Sequence, residues 1–312
     1  MAKYTQLQRH DIERIAKNYN LTVTEFESIE GGAGNSSYLL YTGHCKYVLT
    51  VCDDKALPDA IRMGQLLLWL EQYNFPATRL LPSVSGDIVI VYMDKPVMLK
   101  VYIEGQVNEN LDDVMLFQTG AEMAKLHQIP APDYLPEKHA YGLQTFSNII
   151  TGSINTEYES WLAKQLDHIK QNIPLDLPCG LIHGDVFFDN VLFEGDKFKA
   201  IIDFEEACHY YKGFDLGMGI TGMCVTDTTV ALDKVRALVS GYQKIRILGQ
   251  AERESLQLFI HYAATATSCW RFWKYHIDTP SADKADKHRH MMQIAEGISS
   301  IPKATFQDAV FS

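Results

Sequence analysis

LIHGDVFFDNVLF, at residues 181–193, and AIIDFEEA, at residues 200–207, are the most informative stretches of this sequence. The first places His183, Asp185 and Asn190 in the spacing His-x-Asp-x4-Asn. Phosphoryl transfer needs a carboxylate beside the attacking hydroxyl and oxygen ligands for the magnesium ions that bridge the phosphates. An aspartate and an asparagine on one loop supply groups of both kinds, so the pattern predicts a phosphoryl-transfer loop.

The second stretch adds another carboxylate, Asp203, which stands at the end of an apolar run. Hard Mg²⁺ takes carboxylate, amide and phosphate oxygens in octahedral geometry. We therefore expect Asp203 to complete a metal site together with Asn190. The apolar runs at residues 191–193 and 200–202 are predicted to pair as a β-hairpin with its turn at Gly195, which would hold the two loops close.

The composition is that of a globular protein without a basic surface. The chain has 312 residues, 46% of them hydrophobic, and its 28 basic and 39 acidic residues give a formal net charge of −11. Nucleic acids and anionic membranes attract basic surfaces, so neither is an expected partner. The sequence contains no run apolar enough to span a bilayer, no signal-peptide pattern and no Cys-x-x-Cys pair among its six cysteines. We expect a cytoplasmic protein with reduced thiols, and the oligomeric state stays open.

The chain is predicted to fold as two lobes of the α+β class, because its length exceeds a typical domain of about 150 residues. Residues 1–104 form the predicted small, antiparallel β-rich N-lobe, and residues 105–312 form the larger, mostly helical C-lobe. The predicted strands of the N-lobe cover residues 22–30, 37–41, 46–52, 87–92 and 97–103. The predicted helices up to residue 180 cover residues 7–19, 57–73, 112–127 and 156–171, and most segments after residue 232 are expected to be helical.

The stretch EGGAGNSSY at residues 30–38 lies between two predicted strands. Glycines let successive backbone N–H groups turn toward a phosphate, although a short glycine cluster is also an ordinary hairpin turn. At the start of a β-rich lobe we interpret it as a nucleotide loop, with the adenine against the backbone near residues 99–101. The residues predicted to bind the nucleotide are Gly31, Gly32, Gly34, Asn35, Ser36, Ser37, Thr50, Leu99 and Val101.

These motifs resemble the catalytic and metal-binding loops of protein kinases. The forms His-Gly-Asp and Asp-Phe-Glu are more similar to the aminoglycoside phosphotransferase and choline kinase superfamily, in which the kinase fold phosphorylates small-molecule hydroxyls. The most similar branch is the kinase-fold homoserine kinases of bacteria. The matching pieces, spread over residues 30–275, are GAGNSSYLL, YVLTV, HGDVFFDNVLF, IIDFEEAC, GFDLGMGI and WRFW.

The resemblance implies a role for each matched residue. Asp185 corresponds to the base that orients the substrate hydroxyl and accepts its proton, a contribution of roughly 10²–10⁴ in rate. Asn190 and Asp203 correspond to the Mg²⁺ ligands of an ATP-dependent enzyme. The residues expected to shape the loop are His183 as a brace beside the base, Asp189 as a turn cap and Asp215 as a backbone anchor.

The predicted nucleotide site departs from the protein-kinase pattern at two positions. Thr50 stands where the phosphate-pairing lysine is usual, and Gln65 stands near the place of its glutamate partner. Losing the cation and its partner together leaves no unpaired buried charge. Lys100 and Arg62 are possible substitutes, and a pseudokinase that binds nucleotide without turnover is the alternative. The homoserine kinase branch shares the threonine, which favours an active enzyme.

The acceptor site is predicted around Arg271, which interrupts an apolar helical stretch. A buried arginine is usually paired, and its two parallel hydrogen bonds suit the carboxylate of an amino acid. Glu205 and Glu206 are candidate partners for the ammonium group, so homoserine is the first expected acceptor. An arginine paired with a structural acid and a solvated pair of glutamates are the alternatives.

Other acceptors of the same class stay open. The residues at 221–224 read TGMC, where the homoserine kinase branch carries polar groups. An amino alcohol such as choline or ethanolamine, or an aminoglycoside, is therefore an alternative acceptor. The aromatic residues that could form a cage for a cationic ligand, or could simply belong to the core, are Trp270, Trp273, Tyr210 and Tyr211.

Overall fold

The computed structural model describes residues 5–29, 34–174 and 176–312. The chain divides into two compact units. The first comprises Met1–Gly105 together with Lys199–Asp203, and the second comprises Gln106–Phe198 together with Phe204–Ser312. The short segment that ends at Asp203 therefore belongs to the first unit, although it follows the predicted catalytic loop in the sequence.

A five-stranded antiparallel sheet forms the first unit. Its strands are β1 (Val23–Ile29), β2 (Asn35–Thr42), β3 (Lys46–Cys52), β4 (Ile90–Tyr92) and β5 (Lys95–Val101), in the order β1-β2-β3-β5-β4. The register pairs Thr50 of β3 with Ser37 on one side and with Met98 on the other. Leu49 and Leu99 are fully buried in the core that this sheet shares with the first helix.

Two helices accompany this sheet, α1 (Arg9–Lys17) and α2 (Leu57–Gln72). Helix α2 begins with Pro58 in its first turn, where a missing N–H costs nothing, and Asp59 there complements the helix dipole. It ends just before Asn74, which adopts a left-handed φ of 53°. Asparagine tolerates this conformation better than most residues, so the chain reverses there.

Helices dominate the second unit. They are α3 (Asp113–Leu126), α4 (Leu143–Ile150), α5 (Thr156–Asn172), α6 (Lys212–Met223), α7 (Leu232–Ile245), α8 (Gln250–Trp273), α9 (Lys287–Ser300) and α10 (Lys303–Phe311). The short strands after Gly105 are β6 (Cys179–Ile182), β7 (Val191–Glu194), β8 (Lys197–Ile201), β9 (Cys208–Tyr211), β10 (Val225–Thr226) and β11 (Thr229–Val230). They form three two-stranded ladders, which pair β6 with β9, β7 with β8 and β10 with β11.

Glycines let the helices of the second unit approach closely. A Cβ atom at Gly120 of α3 would lie 1.9 Å from the carbonyl oxygen of Leu238, and one at Gly241 of α7 would lie 1.8 Å from that of Phe117. Helix α6 meets α8 in the same way, because a Cβ at Gly217 would lie 2.4 Å from a backbone oxygen of α8. Backbone therefore packs on backbone along both helix pairs, and α6 is held firmly where it reaches the candidate active site.

The predicted α+β architecture is confirmed, and the β7–β8 hairpin forms as expected around Gly195, whose φ is 62°. The strand predicted for residues 87–92 begins only at Ile90. Hydrogen bonds from Ser85 Oγ to the Asp87 carboxylate and from the Ser83 N–H to the Asp87 carbonyl fold the preceding residues into a turn instead. Helix α4, strand β9 and the π-helical turn Lys274–Asp278 were not predicted. None of the described helices is long and apolar enough to cross a membrane.

Candidate active site

The loop that follows β6 is anchored by one buried carboxylate. Asp215, in the first turn of α6, accepts the backbone N–H of His183 at 3.1 Å and that of Gly184 at 2.7 Å. Gly184 has a φ of 88°, and a Cβ there would lie 2.7 Å from both the Glu206 carbonyl oxygen and His139 Nε2. This position therefore requires glycine for its backbone conformation and for its lack of a side chain.

His183 is completely buried beneath the loop. Its Nδ1 accepts the backbone N–H of Asp185 at 3.2 Å, and its ring lies edge-on to Phe204 with the centroids 4.6 Å apart. A fully buried side chain whose ring already contacts the loop backbone is suited to holding that loop in place. The structure therefore favours the predicted bracing role of His183 over direct chemistry.

Asn190 is tied to the same loop as Asp185. Its Nδ2 donates to the Asp185 carbonyl oxygen at 2.8 Å. Because this bond engages the amide nitrogen, the amide oxygen is the atom that could bind a ligand. An amide oxygen is a suitable ligand for a hard cation. Asp189 precedes it in the 3₁₀ turn Phe188–Asn190, as expected for a residue that shapes the turn.

Asp203 is exposed and lies directly after β8, with a left-handed φ of 64°. Only a few per cent of non-glycine residues adopt this conformation, which is common at functional sites. Among the described residues, no group of three or more His, Cys, Asp or Glu side chains could hold a metal by itself. A metal bound by Asp203 would need further oxygen ligands, such as phosphates, as is usual for Mg²⁺.

Asp215 stays charged although it is fully buried. Burial raises its pKa, but the hydrogen bonds from His127 and from the backbone of Gly184 lower it by more, so the pKa lies below its ordinary value. Burial lowers the pKa of His127, which is therefore neutral near pH 7. A neutral imidazole can donate from Nε2, and that nitrogen lies 2.9 Å from the Asp215 carboxylate.

Arg271, near the end of α8, lies within electrostatic reach of the predicted base. Burial lowers the pKa of its guanidinium, and the opposing contributions come from Tyr275, Asp185 and Asp189. Its Nη1 donates to the backbone oxygen of Lys287 at 3.3 Å, and none of the ion pairs between described residues includes Arg271. Arg271 is therefore a half-buried cation within electrostatic reach of Asp185.

For two of the four aromatic residues, the structure favours the alternative of core packing over a cage. Tyr210 is buried, its hydroxyl lies 3.0 Å from that of Tyr262, and it belongs to the core of the second unit. Tyr211 packs against the same core and contacts Tyr210. The ring of Trp270 instead lies 5.7 Å from that of Tyr141. Core packing in β9, a strand that was not predicted, explains the difference.

Trp273 and the two glutamates were also predicted to contact the acceptor. Trp273 is 37% exposed, with the Lys274 ammonium 5.9 Å above its ring. It lies two positions after Arg271 on the helix, and residues at i and i+2 point to different faces. Glu205 and Glu206 lie half-buried in the 3₁₀ turn Phe204–Glu206. The structure thus supports Arg271 more strongly than Trp273 as an acceptor residue.

The predicted nucleotide loop is described only from Gly34 onward; Gly31 and Gly32 lie outside the described residues. A Cβ at Gly34 would lie 2.4 Å from Asp54 Oδ2, so the backbone approaches that carboxylate closely. Asn35 and Ser37 stand on β2 opposite Cys52 and Thr50. Asn35 and Ser37 therefore belong to the strand that follows the predicted loop.

Ser36 corrects a prediction. Its hydroxyl donates to the carboxylate of Asp53 and accepts the backbone N–H of Thr5 at 2.8 Å. The same carboxylate contacts the ammonium group of Lys95. Because its hydroxyl is committed within this cluster, Ser36 is not available to a phosphate.

The backbone near residues 99–101 also differs from the prediction. The Leu99 carbonyl accepts the N–H of Leu81 at 2.8 Å, and the Val101 N–H donates to the carbonyl of Arg79 at 2.8 Å. The segment at residues 79–81 therefore covers this edge of β5 and takes the groups that the adenine was expected to use.

Thr50 is 1% exposed, and its hydroxyl has no hydrogen-bond partner within the described ranges. A buried polar atom without a partner is costly and often marks a place where a water or ligand binds. Of the two suggested substitutes for the missing lysine, Arg62 is paired with Asp59 at 2.6 Å. Lys100 stands on β5 opposite Val48, two residues along from the partner of Thr50.

Two residues of the site carried no signal in the sequence. His139 lies between α3 and α4 and contacts Gly184, and His127 ends α3 and contacts Asp215. Both are single histidines in ordinary helical or loop context. Only the tertiary structure brings them to the loop.

Solved structures with the same fold are small-molecule kinases. An amicoumacin kinase in complex with AMP-PNP and Ca²⁺ superimposes with a TM-score of 0.76 at 14% identity, over 96% of this chain and 97% of that one. A choline kinase from Streptococcus pneumoniae superimposes with a TM-score of 0.68 at 16% identity, over 94% and 100% of the two chains. The fold is therefore that of the kinase-like phosphotransferases.

The family follows from the sequence. The pattern of the phosphotransferase enzyme family, APH, matches residues 25–248, and the chain belongs to this family. The homoserine kinase of Rhizobium meliloti (strain 1021) is 26% identical over 292 residues, which cover 90% of this chain and 89% of that protein. The chain is a small-molecule kinase, as its sequence motifs predicted.

Proposed function

We propose that this protein transfers the γ-phosphoryl group of ATP to the hydroxyl group of a small amino acid, with homoserine as the first candidate. The observation that carries the acceptor class is the half-buried guanidinium of Arg271 within electrostatic reach of Asp185 and Asp189. A cation within electrostatic reach of the base, and without an ion pair among the described residues, suits an acceptor that brings its own carboxylate. The similarity to homoserine kinases over most of the chain supports the same choice.

Asp185 is proposed as the base. Its carboxylate accepts the proton of the acceptor hydroxyl while that oxygen bonds to the γ-phosphorus, and the bond from the γ-phosphorus to the bridging oxygen of ADP breaks. Positioning and charge stabilisation supply most of the rate in such reactions. The anchors of the loop at Asp215 and His183 fit this need, because they fix the backbone on both sides of Gly184.

Asn190 and Asp203 are proposed as the Mg²⁺ ligands. The amide nitrogen of Asn190 donates to the loop backbone, so its amide oxygen would be the atom that binds a hard cation. When bound, Mg²⁺ would neutralise charge on the phosphates. The two residues would contribute one amide oxygen and one carboxylate.

The nucleotide is proposed to bind the first unit. The unpartnered hydroxyl of Thr50 fits a hydrogen bond to the nucleotide. Gly31, Gly32 and Gly34 stay the predicted phosphate loop. We further propose a cytoplasmic location, since the described chain, including its six cysteines, forms no disulfide.

The experiment is ADP release from MgATP with homoserine, serine, choline, ethanolamine and kanamycin offered as acceptors. The D185N variant serves as the blank, and D196N, in the exposed turn of the β7–β8 hairpin, serves as the matched control. We expect turnover with homoserine that falls by about 10²–10⁴ in D185N and stays unchanged in D196N.

Turnover with choline or ethanolamine alone would keep the kinase and reject the amino-acid acceptor. ATP binding without turnover for any acceptor would reject catalysis and favour the nucleotide-binding alternative that Thr50 suggests. A thermal shift with MgATP separates this case from a chain that does not bind nucleotide, since ligand at a hundredfold excess over Kd stabilises by about 2.7 kcal/mol.

A further inference from the structure

His139 is a buried histidine that contacts the catalytic loop at a different backbone group from those that Asp215 binds. It lies in the connection between α3 and α4 and is 3% exposed. Its Nε2 lies 2.9 Å from the carbonyl oxygen of Gly184, and its Nδ1 accepts the backbone N–H of Tyr141 at 3.1 Å. Since a carbonyl can only accept, Nε2 carries the proton, and the ring is a neutral imidazole with both nitrogens engaged.

The contact falls on the peptide unit that immediately precedes the base. The carbonyl of Gly184 and the N–H of Asp185 belong to the same planar group. His139 donates to the carbonyl end of that group, and His183 accepts from its N–H end at 3.2 Å. Two histidines from different parts of the sequence therefore hold one peptide plane from its two sides.

Such a brace matters because of Gly184. Glycine has more accessible backbone conformations than any other residue, so the peptide between Gly184 and Asp185 is less restrained by its own chain than a peptide between two residues with side chains. Rotation of that plane would redirect the Asp185 side chain. A displacement of about 1 Å at a reacting group can cost about a hundredfold in rate.

The segment that carries His139 also reaches the proposed acceptor residues. The N–H of Leu143 donates to the hydroxyl of Tyr262 at 3.0 Å, which fixes the far end of the segment to α8. Between these anchors, the ring of Tyr141 lies 5.7 Å from that of Trp270, the neighbour of Arg271. The segment therefore spans from the catalytic loop to the helix that carries the acceptor residue.

We propose that His139 is a positioning residue, which holds the Gly184–Asp185 peptide plane and keeps the base aligned with the acceptor residues on α8. The proposal rests on the proposed function for its kinetic consequence. In this role the imidazole of His139 acts as a hydrogen-bond donor to a carbonyl and not as an acid or base. A side chain that preserves this donor should therefore preserve the function.

The test compares H139Q with H139M in the full-length protein. A glutamine amide reaches the depth of Nε2 and can donate to the Gly184 carbonyl, whereas methionine fills a similar volume without a donor. We expect kcat to fall by about ten- to a hundredfold in H139M and by less than about threefold in H139Q, with KM for ATP changed by less than about twofold in both. An equal loss of kcat in the two variants, or none in H139M, would overturn the proposal.

The matched control is H261M. His261 is also 3% exposed, and its Nδ1 lies 3.0 Å from the carbonyl oxygen of Ala295, in the contact between α8 and α9. We expect a loss of thermal stability similar to that of H139M with kcat within about twofold of the wild type. If kcat falls equally in H261M and H139M, the effect of His139 is one of general stability and the proposal fails.

A second readout does not depend on the acceptor. Amide hydrogen exchange of residues 183–187 should be about tenfold or more faster in H139M than in the wild type and unchanged in H139Q, because local opening of the loop controls exchange there. If the wild-type protein turns over none of the acceptors, the proposed function fails, while the exchange comparison still decides whether His139 holds the loop. Equal exchange in H139M and the wild type would overturn the brace.

Discussion

The imidazole of His127 and the carboxylate of Asp215 lie 2.9 Å apart, and both side chains are 0% exposed. His127 also receives a hydrogen bond: its Nδ1 lies 2.7 Å from the hydroxyl of Tyr242, which in turn accepts from Arg246 Nη1 at 3.3 Å. With His127 neutral, Arg246 donates to Tyr242, Tyr242 donates to His127, and His127 donates to Asp215. The end of α7 therefore supports the carboxylate that anchors the catalytic loop.

Removing the Tyr242 hydroxyl tests this series. We expect Y242F to lower the free energy of unfolding by about 1–3 kcal/mol, because Nδ1 of His127 loses its donor in a site that water does not reach. Y73F is the control, since Tyr73 is exposed. Urea unfolding measures both variants. Equal stability of Y242F and the wild type would show that the hydroxyl does not support His127.

Stability should depend on pH between neutrality and about pH 4. Burial lowers the pKa of His139 from 6.5 to about 4, and it lowers the pKa values of His127, His261 and His288 in the same direction. As the pH falls below 6.5, the unfolded chain takes up protons that the folded protein does not. Folding is therefore weakened progressively, by up to about 1.4 kcal/mol per pH unit for each such histidine.

The contribution of His139 can be separated from the others. Between pH 6.5 and about pH 5 it amounts to roughly 2 kcal/mol, which H139Q should remove because glutamine does not titrate. Urea unfolding of both proteins at a series of pH values measures the difference in slope. The same slope in H139Q and the wild type would mean that His139 takes up its proton in the folded state.

Much of the candidate site could be predicted because it lies within one short stretch of chain. His183, Asp185 and Asn190 belong to a single loop, and local spacing alone places them together. The anchoring role of Asp215 also followed from its motif, and its bonds to the backbone of the loop agree with that prediction. The hairpin and the helix boundaries near Leu57 and Asp113 followed from turn residues and apolar periodicity.

The failures have a common physical cause, which is competition by groups distant in sequence. Ser36 donates to Asp53, a partner that only the sheet brings near. The N–H of Val101 donates to the carbonyl of Arg79, which lies in a segment without strand periodicity. His139 contacts Gly184 across 45 residues of sequence. No local pattern reports such contacts, so a residue type alone could not reveal which polar groups were already engaged.

The substitution T50V should raise the stability of the unliganded protein and lower its affinity for ATP. T50V replaces an unpartnered buried hydroxyl by a methyl group of similar shape, so we expect the unliganded protein to gain about 1 kcal/mol. If that hydroxyl binds ATP, affinity should fall by about tenfold, which is about 1.4 kcal/mol. Thermal unfolding and nucleotide titration measure the two effects.

The control for this substitution is T265V. Thr265 is fully buried, but its hydroxyl donates to the carbonyl of His261 at 2.9 Å. The same exchange should therefore destabilise the protein, by about 1 kcal/mol. Unchanged ATP affinity in T50V would place the hydroxyl outside the nucleotide site.

Arg271 should discriminate acceptors by their carboxylate. We expect R271Q to lower kcat/KM by about a hundredfold or more for homoserine, because a desolvated charge pair loses one partner. For an acceptor without a carboxylate the change should stay below about threefold. R289Q is the control, since Arg289 is exposed and pairs with Asp286 at 3.2 Å. An equal loss for both acceptor types would assign Arg271 to the fold and not to the acceptor.

The last prediction concerns the backbone contact between α3 and α7. G241A would place a Cβ 1.8 Å from the carbonyl oxygen of Phe117, so the two helices must separate. We expect a loss of about 3 kcal/mol or more in the free energy of unfolding, as in other overpacked cores. G297A makes the same change inside α9, where the nearest atom to the new Cβ lies 3.7 Å away. It should instead stabilise by about 0.5–1 kcal/mol, since alanine favours the helix over glycine. Opposite signs in urea unfolding would establish the close approach, and a neutral G241A would contradict it.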